Sequence, residues 1–342
     1  MPADAAAAPH AAAVSGGDAG NLPTARRRGR PRPPVDPWRP LAVLVEEERD
    51  GAGGSRRWLT VLLAGAECPY GCVFCDLWRH TLDGPTPAGA LPAQLAAALA
   101  WADGHPPAAA ATGVKLYNAS NLFEPRAVPP ADDAAISALV APRFERVAVE
   151  CHPRLVGERC FAFARRLAER GSRLEVAMGL ETVHPRALPR LGKAMTVDDF
   201  DRAAAALAAA GCAVRAFVLV GAPHQPPAAA AGWAARTAAH AFAAGAGHAS
   251  LIPVRGDTPE MRALAAAGAW APPALADLEA ALDLTLAAAP AGRVATADLW
   301  DLERLAGCDA CFTVRRQRLE RINLSGTAEP RVACEECTRA DR

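Results

Sequence analysis

Six short apolar runs, each followed by a longer alanine-rich segment, constrain the fold of this chain more than any other feature. The runs are WLTVLLAG (58–65), GVKLYNA (113–119), RVAVECH (146–152), LEVAMGLET (174–182), VRAFVLVGA (214–222) and HASLIPV (248–254). They are partly β-branched and have strand length, and predicted helices at about 91–102, 131–141, 156–170, 197–210 and 227–244 fill the gaps. Thr196 followed by Asp199 resembles a capping box that starts the fourth helix, and Gly211 suits its stop. Strand–helix units in series imply a parallel sheet with right-handed crossovers. Six units are too few to close an eight-fold barrel, so the expected architecture is α/β, an open partial (β/α)6 barrel over residues 58–255.

The flanks read differently. Residues 1–35 are Ala, Pro, Gly and Arg with almost no large apolar side chain, the composition of a disordered tail. Within it, Arg28-Gly29-Arg30-Pro31 resembles the core of an AT-hook, a match that arginine bias alone also produces. Residues 256–305 form an extension, with a helix at about 273–288, the run RVATADLW (293–300) and a short helix to about Leu305. Residues 306–342 are expected to be a small cysteine-rich metal module.

Basic and acidic residues balance at 37 each, so net charge argues neither for nor against a nucleic-acid partner. The bias lies in residue choice: Lys115 and Lys193 are the only lysines, and Tyr70 and Tyr117 the only tyrosines. No run is long and apolar enough for a membrane span, and the N-terminus has no secretory pattern. A cytoplasmic protein with reduced cysteines is therefore expected, and clustered CxxC pairs in that compartment favour metal over disulfide.

The stretch ECPYGCVFC (67–75) places Cys68, Cys72 and Cys75 on the loop leaving the first predicted strand. In βα barrels, chemistry is placed at that end of the strands. A structural zinc site is closed by four ligands, and a [4Fe–4S] cluster is normally held by four cysteines. Three thiolates alone leave one position open to a substrate or cofactor.

The spacing Cys68-x3-Cys72-x-Phe74-Cys75 matches the CX3CXΦC signature of radical S-adenosylmethionine (SAM) enzymes, with Phe74 as the aromatic. The segments KLYNASNLFEP, VECHPRL and EVAMGLETVHPRALPRLGKAMTVDDF most resemble the branch containing the archaeosine synthase radical SAM subunit and the Elongator-type catalytic subunit. The resemblance implies a [4Fe–4S] cluster whose open iron chelates the SAM amino and carboxylate groups. It also implies reductive cleavage of SAM to a 5′-deoxyadenosyl radical that abstracts hydrogen from substrate, with an electron donor such as flavodoxin or ferredoxin as partner. Asn118 and Ser120 stand where many members carry a Gly-Gly-Glu-like segment that binds the SAM amine, and Asn118-Ala119-Ser120-Asn121 departs from that pattern. Glu150 and Glu181 at strand ends suit the amine or ribose hydroxyls, and Arg154 suits the SAM carboxylate; each equally suits a structural ion pair. Lys193 in LGKAMT offers a compact cation. Gly221 suits close backbone approach to adenine, with His224 in the next turn. Cys151, Cys160 and Cys212 are unclustered and read as small core hydrophobes.

Cys308-x2-Cys311 and Cys334-x2-Cys337 make a closed Cys₄ set for Zn²⁺ or for an auxiliary [4Fe–4S] cluster. The intervening loop carries Arg315, Arg316, Arg318, Arg321 and Arg331, a basic knuckle suited to RNA phosphates or simply a solvated surface. Three functions follow: a radical SAM enzyme modifying a tRNA or other RNA base, one acting on a small metabolite or natural product, and a non-enzymatic nucleic-acid-binding metalloprotein.

Overall fold

The computed structural model describes residues 32–340. The AT-hook-like stretch and most of the expected tail lie outside the described residues. Arg32, expected in the tail, belongs to the fold: its guanidinium donates to Asp83 at 2.9 Å and Thr81 at 2.7 Å, and pairs with Glu67 at 3.4 Å.

All six predicted strands form, as β2 (Ser55–Leu63), β3 (Gly113–Asn118), β4 (Arg146–Glu150), β5 (Arg173–Glu181), β6 (Ala213–Val220) and β7 (His248–Pro253). They are joined in parallel in chain order. The helices are α1 (Ala90–Asp103), α2 (Pro106–Ala109), α3 (Asp133–Val140), α4 (Glu158–Ala168), α5 (Val197–Ala209), α6 (Ala230–Ala243), α7 (Pro259–Ala266) and α8 (Leu275–Ala288). Thr196 and Asp199 make the reciprocal capping box at the start of α5, and Gly211 follows its end with φ +72°. Each strand turns one row outward: Leu59, Val61 and Leu63 of β2 join Val114, Leu116, Val147 and Val149 in the core beneath the helices.

Two further strands extend the expected six. β1 (Ala42–Arg49) pairs antiparallel with β2, and β8 (Val294–Ala297) pairs parallel with β7. The sheet curls. A flat sheet would separate β1 from β6 by roughly 24 Å, yet Arg215 of β6 reaches Glu48 of β1 in two bonds of 3.0 and 2.7 Å. The inner row at this depth is charged. Lys115 bonds Glu46 at 2.8 Å and Glu48 at 2.7 Å, and Arg215 bonds Glu175 at 2.7 Å. Burial pushes the Glu48 carboxyl up, but Arg215 and Lys115 together hold it well below the usual carboxylate range. Trp58 lies under both cations, 5.7 Å from Lys115 and 5.9 Å from Arg215.

The barrel is open between β1 and β8, and helix α9 (Asp309–Ser325) fills the gap against both strands. Its Asn323 amide accepts from Ala297 N at 2.9 Å and donates to Ala297 O at 2.8 Å, standing in for a missing neighbouring strand. A short helix, α10 (Glu335–Ala340), follows. Among the described residues no helix is long and apolar enough to cross a membrane.

Candidate active site

The three-cysteine loop leaves the C-terminal end of β2 and is pinned by the loops after four other strands. Val73 N donates to Leu191 O at 2.9 Å, and Thr258 Oγ1 donates to Val73 O at 2.6 Å. Tyr70 stacks on His152 with ring centroids 3.7 Å apart. His152 bonds Lys193 O through Nε2 at 2.9 Å and accepts from Arg154 N through Nδ1 at 3.2 Å, which fixes a neutral tautomer. Burial, then the nearby Lys193 charge, pushes that imidazole down to about 3. Asn121 Nδ2 donates to Cys68 Sγ at 3.6 Å. Burial pushes the Cys68 thiol up to about 11, so a bound metal is needed to hold it as thiolate.

These thiols open into a cavity of about 770 Å³ inside the barrel mouth. Phe74, Asn118, Ser120, Glu150, Glu181 and Lys193 line it with Cys68, Cys72 and Cys75. Several polar atoms on its wall are buried without a partner: Asn118 Nδ2, Ser120 Oγ and Tyr117 Oη. Such orphans are rare and costly, and the residues that carry them line the cavity. Glu150 accepts only weakly from Asn118 N, at 3.3 Å, and burial pushes its carboxyl up to about 8, with Lys193 opposing.

Glu181 and Lys193 form the other polar unit, with Nζ 2.7 Å from Oε1. Burial opposes the lysine charge, but Glu181 and the thiols of Cys72 and Cys68 hold its pKa above the ordinary lysine value. Glu181 has φ +67°, a left-handed conformation that costs a non-glycine residue on the order of 1–3 kcal/mol. The register between β5 and β6 shifts at the same point, between Gly179 and Glu181. A Cβ on Gly179 would lie 1.9 Å from Glu181 Oε1 and 2.5 Å from Lys193 Nζ, so only glycine leaves room for the pair.

Two expected cofactor contacts lie elsewhere. Arg154 is exposed and donates to Ala194 O at 3.1 Å, so it braces the Lys193 loop instead of lining the cavity. Gly221 has φ +75° and backs onto the segment after α7: Trp270 Nε1 donates to its carbonyl at 2.8 Å, and a Cβ there would meet Pro273 at 2.9 Å. The space beside Gly221 is thus taken by protein. His224 also does not line the cavity. Cys160 and Cys212 are core residues; Cys151 is buried too but touches the cavity wall. Sequence reasoning missed the Tyr70–His152 stack, Asn121 and Gly179. Only the scarcity of tyrosine hinted at the first.

No protein-family model and no curated protein matches the chain. Among solved structures, the radical SAM enzyme Elp3 of the archaeon Methanocaldococcus infernus is similar, with a TM-score of 0.50 at 13% identity over 78% of this chain. This is the radical SAM fold. The chain spans 63% of that Elp3. Streptococcus suis SuiB bound to S-adenosylmethionine is similar at a TM-score of 0.49, with 12% identity over 72% of this chain and 52% of that one. Queuine lyase from Clostridium spiroforme, bound to SAM and queuine, reaches 0.41 at 15% identity over 63% of this chain and 82% of its own.

Beside the radical SAM barrel, Cys308, Cys311, Cys334 and Cys337 converge, all four sulfurs within 4.8 Å of one another. Among the described residues they are the only such group of three or more ligating atoms. Backbone amides of Cys337 and Glu336 help to draw the Cys334 thiol down to about 7, while hydrogen bonds from the neighbouring thiols push Cys337 up to about 12, so the four thiols share their protons as a group.

The arginine-rich segment between these pairs is not the expected loop. Leu319 and Ile322 bury one side, Arg316 and Glu320 pair along α9, and Gly326 at φ +66° ends it. Its arginines are occupied. Arg315 pairs with Glu279 at 2.6 Å, Arg316 with Glu303 at 2.5 Å and Arg321 with Glu329 at 2.8 Å. Arg318, 1% exposed, bonds Asp283 at 2.7 Å, and Arg331 reaches Asp283 at 3.1 Å. The expected basic knuckle is a set of ion pairs that docks α9 on α8 and on the segments flanking α9.

Proposed function

We propose that the chain is a radical SAM enzyme that binds a [4Fe–4S] cluster through Cys68, Cys72 and Cys75 and cleaves SAM reductively on a small-molecule substrate. The observation that carries this reading is the opening of a three-thiol loop into a cavity whose wall holds unpartnered polar atoms. Three thiolates without a fourth beside them suit a cluster with one iron left open. When bound there, cluster and cofactor supply one-electron cleavage of a sulfonium, the chemistry that no side chain provides.

The chain's own residues do the positioning. Asn118 and Ser120 line the cavity and carry an amide Nδ2 and a hydroxyl without a partner among the described residues, and neutral Glu150 presents a carboxyl that an ammonium group of a ligand would ionise. Lys193 offers a fixed cation for a carboxylate. Phe74 packs partly against the core and lines the cavity with the thiols. An electron donor such as flavodoxin or ferredoxin, in the cytoplasm, completes the system.

The cavity volume falls in the range of about 300–1,000 Å³ usual for small ligands. Pairing of all five C-terminal arginines with carboxylates weakens one of the two grounds for an RNA substrate, the basic knuckle, and leaves the family resemblance as the other, so a small metabolite is the reading proposed. At the C-terminal site, sulfurs 3.8 Å (Cys308–Cys334) and 3.7 Å (Cys311–Cys337) apart match the edge of a zinc tetrahedron, about 3.8 Å for Zn–S bonds of about 2.3 Å. A cubane would hold them farther apart, so Zn²⁺ is the proposed ion.

Anaerobically reconstituted protein is expected to show a reducible [4Fe–4S] signal and to convert SAM to 5′-deoxyadenosine with dithionite. The Cys68→Ala, Cys72→Ala, Cys75→Ala triple variant should lose both. SAM cleavage that persists in the triple variant sinks the assignment. Metabolite and nucleoside mass spectrometry of wild-type and deletion cells then separates small-molecule from RNA substrates.

A further inference from the structure

The end of β5 spends strain, a missing side chain and several hydrogen bonds on fixing one cation. Lys193 Nζ is held by Glu181 at 2.7 Å. The Lys193 carbonyl is held by His152 at 2.9 Å, and the next carbonyl, of Ala194, by Arg154 at 3.1 Å. Both Glu181 and Ala194 have positive φ, and Gly179 has no room for a Cβ beside the pair. The same His152 carries Tyr70 of the cysteine loop on its face, and Val73 of that loop is bonded to Leu191. Thiol loop and cation loop are thus built as one unit, with Lys193 lining the same cavity as Cys68 and Cys72.

Adding an electron to a cluster held by these cysteines adds one negative charge at a buried place. A fixed cation nearby favours that state more strongly than it would in water, and an isolated anion opposes it. We propose that the Glu181–Lys193 pair sets the reduction potential of the cluster: Lys193 stabilises the electron delivered by a low-potential one-electron donor, and Glu181 both positions Lys193 and limits its effect. The proposal rests on the reading of the cysteine triad as a cluster site.

The test is a potentiometric titration of the [4Fe–4S] signal, followed by electron paramagnetic resonance, on reconstituted full-length protein. Lys193→Met leaves Glu181 unneutralised, so the cluster should become harder to reduce. The expected change is on the order of tenfold in the reduction equilibrium, about 59 mV for one electron. Glu181→Gln keeps the shape and an acceptor for Lys193 but frees the positive charge, so its midpoint should rise. The double variant is neutral again and should return toward wild type. Opposite signs in the two single variants support the proposal; unmoved midpoints, or shifts of one sign in both, overturn it. Should Lys193→Met fail to fold, the sign of the Glu181→Gln shift decides alone. Wild-type protein without a reducible cluster overturns the enzyme reading and this one together, whereas a normal wild-type signal with unmoved variants overturns this one only.

Discussion

Glu150 shows how far a cavity can move a single side chain. Burial pushes its carboxyl from an ordinary 4.5 up to about 8, and no ion pair to it forms among the described residues. A raised carboxyl pKa means that the folded state keeps a proton which the unfolded chain has already released. Stability is then full below about 4.5 and falls as pH rises toward 8. One side of Glu150 faces the cavity, so the slope is at most about 1 kcal/mol per pH unit. Glu150→Gln should match wild type in thermal unfolding at pH 4.5 and exceed it at pH 8. Equal melting temperatures at both pH values would show that the group titrates normally. Added SAM should reverse the difference if its ammonium meets this carboxylate.

The element that most shapes the molecule beyond its six βα units is α9. It starts at the C-terminal cysteine group, with Cys308 just before it and Cys311 within it, and ends beside β8, where Asn323 satisfies both backbone groups of Ala297. A buried amide left without its partner costs about 1–3 kcal/mol. Asn323→Ala should therefore lower unfolding free energy by that amount and accelerate hydrogen exchange at Ala297, with little change in the amides of β4 and β5. Unchanged exchange at Ala297 would mean that water already serves that edge. β1 acts at the same seam from the other side. Its Glu46 and Glu48 reach inward to Lys115 and Arg215, which ties the antiparallel edge strand across the barrel floor.

At the scale of the whole molecule, α9 links the C-terminal cysteine group to the barrel edge, with Cys311 near one end and Asn323 near the other. Metal binding supplies much of the folding free energy of small cysteine sites. With zinc at the C-terminal site and one cluster in the barrel, metal analysis should give one zinc and about four irons per chain. Replacing Cys334 and Cys337 with alanine should remove the zinc alone, loosen residues 326–340, and raise exchange at Ala297 through α9. Iron near eight with no zinc would assign an auxiliary cluster to the second site, and an unchanged metal content would show that these four cysteines bind nothing.

The repeated pattern of apolar runs was enough for the six parallel strands, their order and five outer helices, because strand length and helical periodicity are local properties of the chain. The two CxxC pairs were legible for the same reason, since each is written in adjacent residues, and the fold brings them together. Strand β1 drew no expectation from the sequence, since the partners of its Glu46 and Glu48, Lys115 and Arg215, come from β3 and β6. The arginines of α9 read as a free basic surface because their acidic partners, Glu279, Asp283 and Glu303 among them, lie on other elements. Arg154 and Gly221 stand at the strand ends where cofactor contacts were expected, yet side-chain direction and neighbouring loops turn them away from the cavity. Charge pairing, orphaned polar atoms and the room that Gly179 leaves for Glu181 and Lys193 are relations between distant residues, and only the closed packing of the chain decides them.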